Sequence, residues 1–143
     1  MTVSEIEFTN DFLTAQSWHI IESLLNDGEA LCVADPNLPD YPIVYVSAGF
    51  TLLTGYQAHE IIGRNARHLQ PWRETGNVGE RRILRKAVRD LEDTSVTLVN
   101  CRKDGSIFYN HLHVFPLLDE ASHTAFIVGV QYEVSAPMPR TNL

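Results

Sequence analysis

The octapeptide Gly63-Arg64-Asn65-Ala66-Arg67-His68-Leu69-Gln70 sets two carboxamides and a guanidinium within one short segment. Asn65 and Gln70 each offer a hydrogen-bond donor and an acceptor without charge, and Arg67 offers a planar cationic fork shaped for phosphate. Together they suit a ligand that is polyhydroxylated in its middle and anionic at one end. Three more carboxamides, Asn100, Asn110 and Gln131, sit in apolar, strand-like runs further along. Carboxamides there match a ligand edge that both donates and accepts hydrogen bonds. Other chemistry-bearing types are sparse. Cys32 and Cys101 have neither a C-x-x-C spacing nor the company of a disulfide framework. His111 and His113 lie two apart, a spacing metal sites use, but no third or fourth ligand accompanies them, so they read as solvent-rim residues.

These side chains need elements to position them. Phe12, Leu13, Trp18, Ile21, Leu24 and Leu25 recur at helical spacing, predicting a helix over Asn10–Leu25 that Asn26-Asp27-Gly28 ends. Glu29–Asp35 and Pro42–Ser47 read as short strands joined through Pro36–Pro39. Gly49–Tyr56 and Ala58–Ile62 read as short helices separated by Gly55, and the octapeptide follows them. Asn77–Leu91 is a longer amphipathic helix with Ile83, Leu84, Ala87, Val88 and Leu91 on one face. Thr94–Arg102 and Ile107–Leu118 are strands meeting at Asp104-Gly105, and Thr124–Val134 is the last strand. The tail from Ser135 has no periodicity and is expected to be loose.

Strand parity sharpens this reading. Asn100 shares a face with Leu98 and Val96, and Asn110 with Leu112 and Val114. A two-residue Asp104-Gly105 turn would throw the two asparagines to opposite faces, so a common amide surface requires an odd loop or a bulge there. The other face would carry Val99, Tyr109, His111, His113, Phe115, Phe126, Val128, Val130 and Tyr132, which is too apolar for water. The leading helix, the tail or a second subunit must cover it. A homodimer through this face together with the leading helix is the expectation.

The chain of 143 residues is one domain's worth, 44% hydrophobic, with a formal net charge of −7. That charge argues against a nucleic-acid partner. No apolar run is long enough to span a membrane, and the N-terminus lacks the pattern of a signal sequence. A reducing cytoplasm is the expected location.

The octapeptide resembles the flavin-binding signature G-R-N-C-R-F-L-Q of the light-oxygen-voltage (LOV) branch of PAS domains. The resemblance continues through Asp35–Asp40, Phe50–Tyr56, Asn100–Gly105, Asn110 and Gly129–Gln131, in family order from about residue 29 to residue 134. It implies an α+β PAS fold, with a five-stranded antiparallel sheet, short helices on one face and an N-terminal flanking helix. The implied boundaries are a flanking helix over 1–28, a flavin-binding domain over 29–134 and a C-terminal tail over 135–143. FMN is the implied cofactor, ahead of riboflavin or FAD. By the same resemblance Asn65 and Gln70 reach the ribityl chain and ring, and Arg67 and Arg85 the phosphate, with Arg81 or Arg82 as neighbours that could substitute for Arg85. Asn100, Asn110 and Gln131 would line the pyrimidine edge. Leu69, Leu84, Val88, Leu98, Leu112, Val114 and Ile127 would form apolar walls.

Two positions depart from the pattern. His68 stands where the family prefers an apolar aromatic, and Ala66 stands where it carries the photoactive cysteine whose sulfur bonds the flavin in blue light. Alanine has no nucleophile, so that adduct is not expected here. Cys101 directly follows Asn100 and should point away from the ring, and Cys32 is expected to face the cavity, but from a strand at the family's apolar flavin wall and not from the helix beneath the ring. The resemblance therefore implies a blue-light sensory domain, not an enzyme, that fluoresces or signals by photoreduction of the flavin to its neutral radical with reorientation of the Gln131 amide. The alternative is a flavin-free PAS interaction module. A flavin-dependent enzyme has little support, since no G-x-G-x-x-G fingerprint is present. The residues after Gln131 are too few to hold an effector within this chain, so either a short stand-alone receptor or a fragment of a larger one is expected, with the downstream partner unspecified.

Overall fold

The computed structural model describes residues 15–69, 77–119, 121, 123–139 and 141–142. The helical spacing of Trp18, Ile21, Leu24 and Leu25 produces α1 (Ala15–Asn26), and Gly28, at φ +73°, takes the left-handed turn after its end. Asn10–Thr14, the expected first turn of this helix, lies outside the described residues. β1 (Ala30–Ala34) and β2 (Ile43–Val46) form an antiparallel pair. The capping residue Ser47 then starts α2 (Ala48–Thr54), and Gly55 ends it at φ +80°.

Ser47 does more than cap. Its Oγ accepts from Phe50 N at 3.2 Å and from Leu31 N at 2.8 Å, and donates to Glu29 O at 2.8 Å. One buried hydroxyl thus fixes α2 against β1. Gly49 follows because a Cβ there would sit 2.7 Å from Gly28 O and 2.9 Å from Glu29 O. Ser47→Ala should lower unfolding stability by roughly 1–3 kcal/mol, from a lost cap and an orphaned buried N–H. An unchanged urea midpoint would show that this hydroxyl is dispensable.

α3 (Ala58–Ile61) begins with a reciprocal Gln57–Glu60 capping box, and a 3₁₀ turn covers Ala66–Leu69. α4 (Val78–Asp90) is followed by β3 (Thr94–Cys101), β4 (Ile107–Leu118), β5 (Thr124–Val134) and the two-residue β6 (Thr141–Asn142). The strands form one antiparallel sheet in the order β2-β1-β5-β4-β3-β6. The five expected strands and the PAS architecture are present.

The tail departs from expectation. Met138 N donates to Thr97 Oγ1 at 3.0 Å, and β6 pairs with β3 at Thr94 and Ser95. An available sheet edge captures a segment that has no periodicity of its own.

The sheet divides two apolar clusters. On the outer face Ile21 of α1 packs with Leu31, Val33, Tyr45, Phe115, Leu117, Phe126, Val128 and Val130. The chain's own helix therefore covers the centre of that face. Tyr109 and Tyr132, each 39% exposed, and Ile107, 56% exposed, stay open. On the inner face Ala30, Cys32, Ile43, Val46, Phe50, Ile61 and Leu69 make the second cluster, with Leu53 and Tyr56 at its margin.

Candidate functional site

The inner face of β3, β4 and β5 gathers the late carboxamides. Cys101 pairs with Ile107, which leaves residues 102–106 as an odd-numbered loop, as strand parity requires. Leu98 therefore stands opposite Asn110, and Asn100 shares its face. The loop is anchored on the helices. Lys103 N donates to Thr54 O at 2.9 Å, Arg102 Nε to Leu53 O at 3.1 Å, and Lys103 Nζ lies 2.7 Å from a Glu60 carboxylate oxygen. Arg102 also stacks over Phe108, its guanidinium carbon 4.4 Å from the ring centroid. These ties hold the register that aligns the amides.

Asn100, Asn110 and Gln131 are 2%, 1% and 4% exposed, so their hydrogen bonds decide what they can do. Asn110 Oδ1 accepts from Tyr132 N at 3.2 Å, and its Nδ2 donates to Asn100 Oδ1 at 2.8 Å. Asn100 Nδ2 donates in turn to Val99 O at 3.1 Å. A carboxamide has two N–H groups and two lone pairs, so each asparagine retains capacity of both kinds.

Gln131 stands opposite Leu112 on β4 and Ala30 on β1. Its Nε2 donates to Cys32 Sγ at 3.2 Å, while its buried Oε1 meets no partner. A Cβ built on Gly129 would approach Cys32 Sγ at 3.1 Å and Gln131 Nε2 and Leu112 Cδ1 at 3.2 Å, so these three side chains converge over a backbone without one of its own. Burial pushes the Cys32 thiol pKa up, against the smaller opposing effect of its hydrogen bond to Gln131. The resulting surface is uncharged, dry and able to donate and accept. It fits the pyrimidine edge of a flavin.

The signature segment is built differently. Leu69 is buried in the inner cluster, whereas Ala66 and Arg67 are exposed and Asn65 is half-buried. Asn65 Nδ2 donates to Asp40 O at 2.7 Å, and its Oδ1 accepts from Arg67 N at 2.9 Å. The Arg67 guanidinium forks onto Asp40, at 2.7 and 2.6 Å. The amide expected at a ribityl chain is thus engaged within the protein, and the arginine expected at a phosphate grips a carboxylate. Gln70 lies outside the described residues. Arg85 is exposed on α4, Arg81 is half-buried, and Leu84 and Val88 are half-buried. Val88 lines a crevice between α4 and the sheet with Ala87, Leu91, Val114, Pro116 and Ile127, and Leu84 is not among its lining residues.

The hydrogen bonds from Arg67 hold the Asp40 carboxyl below the ordinary carboxylate range. A lowered folded-state pKa contributes stability that is present above the unfolded value and lost as pH falls through the folded one. Asp40→Asn should therefore separate from the wild type in denaturation midpoint at neutral pH and converge with it in acid. A constant difference down to the acid transition would show that the pair does not titrate this way.

His111 and His113 are half-buried rather than rim residues. His111 Nδ1 lies 3.1 Å from Thr97 Oγ1, and His113 packs on Phe115. No group of three or more metal-ligating side chains occurs among the described residues. Residue-type reasoning missed two contributors. Asn77, 2% exposed, both donates to Val99 O and accepts from Val99 N at 2.9 Å, fixing the start of α4 to β3. Asp40 is the other, and Cys32, expected on the flavin wall, gains its partner Gln131 only through the fold.

The PAS domain family matches residues 28–136. A solved light-oxygen-voltage domain studied with a flavin analogue is 39% identical, with a TM-score of 0.75, covering 85% of this chain and 89% of that one. The dark structure of the blue-light photoreceptor Aureochrome1 LOV is also 39% identical, with a TM-score of 0.71 and coverages of 81% and 83%. The chain belongs to the PAS domain family and, within it, to the light-oxygen-voltage domains.

Among curated relatives, blue-light-activated histidine kinase 1 of Erythrobacter litoralis is 40% identical over 106 residues, 74% of this chain and 29% of the relative. Phototropin-2 of Oryza sativa subsp. japonica is 38% identical over 104 residues, 72% of this chain and 11% of the relative. The chain spans less than a third of the length of either. It corresponds to a light-sensing, flavin-binding type of domain. No described helix is long and apolar enough to cross a membrane.

Proposed function

We infer that this chain is a blue-light sensory domain that binds FMN and cannot form the cysteinyl adduct. The observation that carries the reading is the buried, unpartnered Gln131 Oε1 on the same dry face as Asn100 and Asn110. A bound flavin would supply absorption of blue light and a ring that accepts an electron and a proton. Asn100, Asn110 and Gln131 hold its pyrimidine edge, and Leu69, Leu84, Val88, Leu98, Leu112, Val114 and Ile127 exclude water. Asn65 and Gln70 serve the ribityl chain, and Arg67 and Arg85 the phosphate. With alanine at position 66 the chain offers a bound flavin no sulfur there, so absorbed light would leave as fluorescence, or would reduce the flavin where an external donor such as an amine or a thiol supplies the electron. Gln131 reads a change in ring protonation by rotating its amide, an acceptor in one orientation and a donor in the other. Reorientation would alter hydrogen bonding along β5, the kind of local event that biases a two-state element. The domain works in the cytoplasm and pairs with a second copy through the open end of the outer face at Ile107, Tyr109 and Tyr132, beside α1.

FMN and riboflavin titrations of apoprotein test the cofactor assignment. FMN should bind more tightly, by roughly 1–3 kcal/mol for each charge-assisted phosphate contact. Arg67→Gln and Arg85→Gln should each erase part of that preference and leave riboflavin affinity unchanged. Equal affinities for the two ligands in the wild type would rule out the phosphate roles.

A second reading has its own support. Asp40 occupies Arg67, and Asn65 spends its amide within the chain, as in a PAS module that keeps the pocket for packing alone. A protein that takes up no flavin on titration would favour this interaction module.

A further inference from the structure

We propose that Cys32 is the positioning residue for Gln131, a two-way hydrogen-bond partner that lets the amide hold either orientation. In the orientation seen, Cys32 Sγ accepts from Gln131 Nε2 at 3.2 Å, and the buried Oε1 is turned away from sulfur without a partner. A neutral thiol both donates and accepts, weakly in each role. The amide can therefore rotate by half a turn, giving Oε1 to the S–H and presenting Nε2 to a ligand, without losing its contact with residue 32.

The surroundings enforce this pairing. Cys32 and Gln131 come from adjacent strands, with Cys32 paired to Gly129 and Ala30 to Gln131. Gly129 has no side chain to separate the sulfur from the amide, and a Cβ there would come within 3.2 Å of both. Cys32 is 7% exposed and burial disfavours its thiolate, so at neutral pH the sulfur keeps the proton the second orientation requires. Valine at position 32 would fill similar space and serve neither orientation. A carboxylate or ammonium would serve only one. The thiol's weakness is also useful, because a strong partner would lock the amide and a weak one leaves the ligand to decide.

The inference extends the proposed light-sensing role of Gln131, but it can be tested without any flavin. Side-chain amide resonances of Gln131, assigned by loss in Gln131→Leu, would be followed in flavin-free, full-length wild type, Cys32→Ala, Cys32→Ser and Cys32→Val. The Nε2 protons should shift in Cys32→Ala and Cys32→Val and return toward wild type in Cys32→Ser, whose hydroxyl restores both roles. Thermal denaturation of the same samples separates this from simple packing loss, since Cys32→Val should keep its midpoint and still lose the shift. Gln131 resonances that do not move in any folded variant would overturn the proposal, and so would a valine variant that matches wild type. A covalent sulfur adduct at Cys32 on illumination of FMN-loaded protein would also overturn it, by making the thiol a reactant. Failure of the protein to take up FMN would instead count against the proposed function and leave the resonance result standing on its own.

Discussion

Ala66→Cys should convert the domain from one that keeps its blue absorption under illumination to one that loses it and recovers in the dark. The substitution restores the thiol that the signature carries in the resembling family, and the position is sterically open because Ala66 is exposed at the start of the 3₁₀ turn. Three residues on, Leu69 is buried in the inner cluster and stands on the same side of that turn. The change adds one polarizable atom and removes nothing, so the fold should survive with a denaturation midpoint close to wild type. With no electron donor added, the expected difference is one of kind: bleaching with dark recovery in the variant and none in the parent. A flavin-loaded Ala66→Cys protein that never bleaches would mean that the turn does not present residue 66 to the cofactor.

Val128→Glu should severely destabilise the fold. Val128 is 0% exposed and belongs to the cluster that α1 closes, with Ile21, Leu31, Phe115 and Val130 around it. An unpaired carboxylate there costs of the order of 3–5 kcal/mol, against a total stability of about 5–15 kcal/mol for a domain this size. Escape by undocking α1 would expose Ile21, Phe115 and Phe126. The loss should therefore appear at every protein concentration, in far-ultraviolet circular dichroism and in the urea midpoint. A folded, monomeric Val128→Glu protein beside a wild type that dissociates on dilution would show that a second copy, and not α1, fills this face. Tyr109→Glu or Tyr132→Glu are the proper probes of the proposed dimer, because both tyrosines are partly exposed on the same face and lie outside that cluster.

Much of this structure is legible in residue order. The limits of β4 and β5 follow from alternation and turn residues, and a common surface for Asn100 and Asn110 demanded an odd loop or a bulge around Asp104-Gly105, which the fold supplies as the loop 102–106. Gly28 and Gly55 mark helix ends because few other residues adopt their left-handed conformation easily. What was not legible depends on distance along the chain. Cys32 and Gln131 are 99 positions apart and Asp40 and Arg67 are 27 apart, so no local pattern announces either contact. Asp40 also sits at φ +67°, a loop geometry set by its context rather than by its residue type. The outer face is a third case. Its apolar composition requires a cover, but helix, tail and second copy satisfy that demand equally until docking is known. The same holds for the tail, whose β6 exists only because β3 leaves an edge to pair with.

The central claim is that the inner amide face holds a flavin that stays free of covalent attachment to the chain. An absorbance spectrum of the purified protein, recorded before and after blue illumination, tests it most directly. The expected result is the structured blue band of a bound flavin, persisting as a flavin spectrum or falling by photoreduction when an electron donor is supplied. A colourless protein that cannot be reconstituted, or full conversion to a species absorbing only in the near ultraviolet with recovery in the dark, would contradict it.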